Sequence, residues 1–100
     1  MPLSCDHVRS MAASGRIRPG AGYHARSHAV RWETLIAACT GCYSVAPDHR
    51  TNPDGSPKHP NGYVVLCRHR TAGGRYRIDA DLLKDASGRD VLFVATGFPI

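Results

Sequence analysis

The chain has 100 residues, which bounds it to one domain able to bury a modest core without the help of disulfides or metals. Thirteen Lys and Arg, eleven of them Arg, stand against eight Asp and Glu and give a formal net charge of +5; the excess suits a phosphate-bearing partner, because a guanidinium donates two parallel bonds to phosphate oxygens, and it equally follows from codon usage in a GC-rich genome. No apolar run approaches the ~20 residues of a bilayer-crossing helix and the first residues hold no apolar secretory segment, so the expectation is a cytoplasmic protein without a membrane partner.

Residues 1–22 read as an irregular basic lead-in. Arg9, Arg16 and Arg18 supply its charge, Met11 to Ser14 offers one helical turn, and the run from Gly15 to Gly22, with Pro19 inside it, breaks that turn. Residues 23–100 read as the folded domain. From Ser27, a plausible N-cap, to Cys39 the apolar spacing is helical, with His28, Trp32, Leu35, Ile36 and Cys39 on one stripe and Gly41 ending it. Residues 42–46 suit a short strand. Residues 47–62 hold four prolines, two glycines and no aliphatic side chain, and read as a loop at the rim of the fold.

The last third is the most regular. Residues 63–70 read as a strand of which one face can be buried, residues 75–83 alternate more cleanly with one wet face, and residues 91–96 are apolar on both sides, as in a well-covered strand. Turns at Thr71 to Gly74 and Asp85 to Arg89 join them into an antiparallel meander. The expected fold is therefore α+β: one main helix packed on a three- to four-stranded antiparallel sheet, with Trp32, Leu35 and Ile36 against Tyr76, Ile78, Leu82 and Phe93.

Two constellations bear on chemistry. Without an export signal the four cysteines are expected as reduced thiols or ligands. Cys39 and Cys42 have zinc-knuckle spacing and Cys67 and His69 follow as two further soft ligands, but a second Cys-x2-Cys half is missing. Asp48-His49, Asn61 and Val64-Val-Leu-Cys67 give a likeness to HNH nucleases that lacks the same half. The expectation is no metal and no cofactor, with the cysteines packed as small apolar groups. In the second constellation, a hairpin turned at residues 71–74 brings Arg68 or Arg70 close to Arg75 or Arg77. Facing like charges cost stability, and they persist more easily around an anion such as phosphate or when Asp79, Asp81 and solvent screen them.

Ser27-His-Ala-Val-Arg-Trp-Glu-Thr-Leu-Ile36 resembles the helix-entry segment of BrnT-type toxins. The apolar strand at Tyr63 to Cys67, the Gly74-Arg75 turn, the alternating strand, the Asp85 to Arg89 turn and Val91-Leu-Phe-Val-Ala-Thr96 are similar in order to the RelE/ParE superfamily of small ribonuclease toxins. The resemblance covers about 70 residues. It implies metal-independent cleavage of messenger RNA by attack of a ribose 2′-hydroxyl on the adjacent phosphate, with a protein antitoxin as partner. Such chemistry needs proton-transfer groups and cations around the phosphorane. His28, Glu33 and His69 are the candidate proton-transfer groups, with Thr96 as an additional polar residue; Arg68, Arg70, Arg75 and Arg77 are the candidate phosphate ligands. Two alternatives stay open: a non-catalytic basic inhibitor or binding module that grips a nucleic acid or nucleoprotein, and a zinc-stabilised, HNH-like nucleic-acid binder.

Overall fold

Ser4 opens the first helix by accepting a hydrogen bond from the His7 N–H at 3.2 Å, and Val8 and Met11, three residues apart on one face, are buried beneath it. This helix, α1 (Cys5–Ala13), begins the order α1, β1 (Ile17–His24), α2 (Trp32–Cys39), β2 (Cys42–Pro47), β3 (Gly62–Arg68), β4 (Arg75–Lys84) and β5 (Asp90–Pro99). The structure is a computed structural model and describes residues 3–24 and 30–100. Ser27 and His28, the expected cap and start of the main helix, lie outside the described residues.

The lead-in is not irregular, since α1 and β1 occupy it. Pro19 and the glycines, read as breakers, instead suit the position of β1 at the sheet edge, where one row of backbone groups has no strand to pair with. Close approach also selects Gly20, where a Cβ would lie 3.2 Å from the Val94 carbonyl oxygen. The main helix starts at Trp32, later than expected from the stripe, with Arg31 as an N-cap that makes no side-chain capping bond.

The sheet has five strands in the order β1-β5-β4-β3-β2, one or two more than expected, and it is mixed. β3, β4 and β5 form the expected antiparallel meander, β2 adds antiparallel to β3, and β1 pairs parallel to β5. Both helices share one core with the sheet. Leu35, Ala38 and Cys39 of α2 and Val8 and Met11 of α1 meet Ile17, Val65, Cys67, Ile78, Ala80, Leu92 and Val94. Trp32 is only partly buried and packs edge-on against Tyr23 of β1, ring centroids 5.3 Å apart.

Phe93 departs from expectation. The strand is apolar on both sides, so its pattern cannot choose a face. The register sets Phe93 against Asp81 and Arg18, on the opposite face, and gives Leu92 and Val94 to the core. A bulge at Ala95, between the pairs Ala80↔Val94 and Asp79↔Thr96, then returns Gly97 to the core side, where Leu35 packs on it. The other face of the sheet carries Val64, Leu66, Arg77, Asp79, Asp81, Thr96 and Phe98.

The proline-rich loop has internal order. Asn52 N–H donates to the Ser56 carbonyl at 2.8 Å and Lys58 N–H to the Arg50 carbonyl at 2.9 Å, with Thr51 bridged to Pro57. Its root is Asp48, whose side chain is 3% exposed and accepts from the Arg50 backbone N–H and guanidinium, the latter as close as 2.5 Å. That guanidinium holds the Asp48 carboxyl well below the usual carboxylate range. A depressed folded-state value means stability that is present above about pH 4, the unfolded range, and lost as pH falls through the folded value. Asp48→Asn should therefore melt below wild type at neutral pH, with the gap closing in strong acid. A gap independent of pH would reject the ion pair as its source.

Candidate anion-binding site

The β3–β4 hairpin assembles the basic end of the molecule. Two glycines in succession, Gly73 at φ 73° and Gly74 at φ 84°, take the left-handed conformations that reverse the chain there. The turn closes through His69 N–H to the Gly74 carbonyl at 3.0 Å and Gly73 N–H to the His69 carbonyl at 3.1 Å. The His69 ring joins in, its Nδ1 accepting from the Ala72 N–H at 3.0 Å. In the neutral ring the proton then sits on Nε2, which leaves that nitrogen to act as a donor. Below the turn, Arg68 stands directly opposite Arg75 in the register, which places their β-carbons about 4.5–5.5 Å apart.

Arg68 and Arg70 also line a cavity of about 590 Å³ together with Arg9 from α1, Thr40, Gly41 and Cys42 from the α2–β2 turn, and Tyr43. Tyr43 is the extra residue at a register shift in β2 and is 46% exposed. Arg9 is held in place, donating to the Cys42 carbonyl at 2.8 Å and to Asp6. Among the described residues, Arg68, Arg70 and Arg75 make no ion pair with a carboxylate. Cations around an open cavity are the arrangement that an anion would suit. Arg77 differs from its neighbours. It donates to Asp79 at 3.0 Å and lies 6.0 Å over the Phe98 ring, so its charge is already matched.

Among the described residues, the candidate proton-transfer groups Glu33 and His69 do not converge. Glu33 is exposed on the first turn of α2, on the helical side of the sheet. Thr96 precedes Gly97, which faces Leu35, so Thr96 lies on the other side, opposite Asp79. His69 belongs to the hairpin turn among the arginines, and His28 lies outside the described residues. Arg9, Thr40 and Tyr43 were not foreseen, because α1 was not foreseen and nothing in the local pattern of β2 shows where its extra residue points.

The four cysteines come together beside this cavity. Cys39, Cys42 and Cys67 are buried, Cys5 is partly buried, and all four are free thiols. Burial, with a hydrogen bond to Cys42, pushes the Cys5 thiol up to about 12. Hydrogen bonding to Cys67 and burial raise Cys42, and a bond to Cys39 heads the causes that raise Cys67. Protonated thiols of this kind are poor nucleophiles. Among the described residues, no group of three or more His, Cys, Asp or Glu side chains is disposed to hold a metal ion as it stands. His69 lies just beyond the end of β3, with its Nδ1 turned to the Ala72 N–H within the hairpin.

No protein-family model, curated protein or solved structure matches the chain. No helix among the described residues is long and apolar enough to cross a membrane.

Proposed function

We propose that this protein is a basic binding module that grips single-stranded RNA by its phosphates at the β3–β4 hairpin. The observation that carries the reading is the convergence of Arg68 and Arg70 with Arg9 around one cavity, with Arg75 facing Arg68 and no carboxylate answering the three hairpin arginines among the described residues. Exposed Tyr43 at the same rim offers a ring on which a base can stack, as single-strand binders use. Messenger RNA in the cytoplasm is the ligand class this supposes.

Phosphate binding releases counterions, so affinity should fall as salt rises, with a log–log slope of about −0.7 per phosphate contact on a single strand. Replacing Arg68 and Arg70 together by Ala should weaken binding of an oligoribonucleotide and flatten that slope by about 1.4, two contacts' worth. Arg77→Ala, already matched by Asp79, should change it little. No measurable RNA binding at low salt, or binding unaffected by the Arg68/Arg70 double substitution, would reject the module.

A second reading, an endoribonuclease toxin of the RelE/BrnT sort neutralised by an antitoxin, is favoured by the run of α2 followed by the β2–β5 meander and by His69 standing among the arginines. It separates from the first by chemistry. Under it, His69→Ala preserves RNA binding and lowers the cleavage rate, since a proton-transfer group contributes mainly in the transition state. Harmless expression and intact RNA after incubation with the folded protein would leave only the binding module.

A further inference from the structure

The arginines that line the cavity are not equivalent. Arg68 and Arg70 are exposed and, among the described residues, meet no carboxylate, so their charge is open to phosphate. Arg9 differs on both counts. Its charge is matched by Asp6, one turn earlier in α1, and the Cys42 carbonyl of β2 accepts another of its N–H bonds at 2.8 Å. An exposed pair within one helix restrains a side chain weakly, but the bond to Cys42 is partly buried and joins two elements, and the two acceptors together orient the guanidinium. The side chain is still 42% exposed and lines the cavity. Two of the five N–H donors of a guanidinium are thereby used, which leaves the others for a ligand.

A donor fork that is oriented and already neutralised adds little attraction for a backbone phosphate, but it suits a pair of neighbouring acceptors. Guanine presents such a pair, N7 and O6, on one edge, whereas adenine sets a donor beside its N7. Arginine on that guanine edge is the commonest specific contact between a side chain and a base. A purine also gives the exposed Tyr43 ring its larger stacking face. The cavity, of about 590 Å³, falls in the range that holds a small ligand such as one splayed-out nucleotide. We infer that Arg9 is the specificity-determining residue of this site, reading an unpaired guanine through N7 and O6 while Arg68 and Arg70 hold the adjoining phosphates. The inference rests on the cavity being an RNA site and names which RNA it selects.

The test measures binding of the full chain, at low salt, to a short oligouridylate with one central guanosine, adenosine, inosine or 7-deazaguanosine. Guanosine should be preferred to adenosine by about 5–150-fold, the discrimination of one good bidentate base contact. Inosine keeps N7 and O6 and should bind as guanosine does; 7-deazaguanosine lacks N7 and should fall toward adenosine. Arg9→Lys keeps the charge and loses the planar fork, so the ratio of guanosine to adenosine binding should drop to about one. Replacing Arg68 and Arg70 together by Ala should do the reverse, weakening every oligomer alike and preserving the ratio. Equal wild-type affinity for guanosine and adenosine, with salt-dependent binding intact, would overturn the inference and leave the binding module standing. A preference that survives in Arg9→Lys, or with 7-deazaguanosine, would overturn it in the same way. Absence of binding to any of the oligomers would remove the module and the inference together. The comparison of bases needs only the wild type, so it decides the matter even if Arg9→Lys fails to fold.

Discussion

Leu35→Ala should destabilise the protein by about 2–5 kcal/mol, the range for removing a large aliphatic group from a packed core. Leu35 is 1% exposed and its methyls press against the α-carbon of Gly97, so close that a Cβ built there would lie 2.8 Å and 3.0 Å from them. In a domain of this size each kcal/mol lowers the melting temperature by about 4–8 °C, so the loss is easily read by thermal unfolding. The same contact predicts a compensation. Gly97→Ala alone should cost about 1–3 kcal/mol by overpacking, because Leu35 has little room to withdraw. In the Leu35→Ala background the new methyl occupies the vacated space, and the double variant should be more stable than the sum of the two losses by about 0.5–3 kcal/mol. Strict additivity would show that the helix does not seat on Gly97.

That contact also marks the limit of what the sequence discloses. Trp32, Leu35 and Ile36 are legible as one helical stripe, β4 is legible because one wet face forces clean alternation, and β3 because an apolar run ends at a glycine-bearing turn that leads into β4. Which β5 residues meet the stripe is not legible. Leu92, Phe93 and Val94 are all apolar, and the bulge at Ala95 resets the alternation beyond them. The first strand is hidden for a different reason. Its partner, β5, lies some seventy residues later in the chain, and a parallel edge strand with Pro and Gly in it carries no local signature of its pairing.

The basic end divides the same way. A two-strand hairpin with a known turn fixes the meeting of Arg68 and Arg75, and Asp79, two residues beyond Arg77 on the same face, is a legible candidate to neutralise it. Arg9 joins Arg68 and Arg70 only because α1 packs beside β2, a tertiary fact that no spacing within residues 1–22 conveys. The convergence of Cys5 on Cys42 depends on that same docking.

Among the glycines whose surroundings are described, Gly41→Ala should be the most damaging substitution. A Cβ at this position would lie 1.9 Å from the Arg68 carbonyl oxygen, and that atom belongs to backbone that cannot swing aside. Gly41 and Arg68 are locked together by the Arg68 N–H donating to the Gly41 carbonyl at 3.0 Å, so relief requires prying the start of β2 away from the end of β3. The cost should reach about 3 kcal/mol, the upper end of ordinary overpacking, or exceed it. Gly55 is the control: its surroundings are open and its φ of +89° leaves only local strain, on the order of 1 kcal/mol, when alanine replaces it. The displaced turn carries Cys39 and Cys42 and lines the arginine cavity with Arg68 and Arg70. Any fraction of Gly41→Ala that still folds should therefore bind RNA more weakly than wild type, whereas Gly55→Ala should bind it equally well. Equal stability of the two variants would mean that the α2–β2 turn does not sit against Arg68.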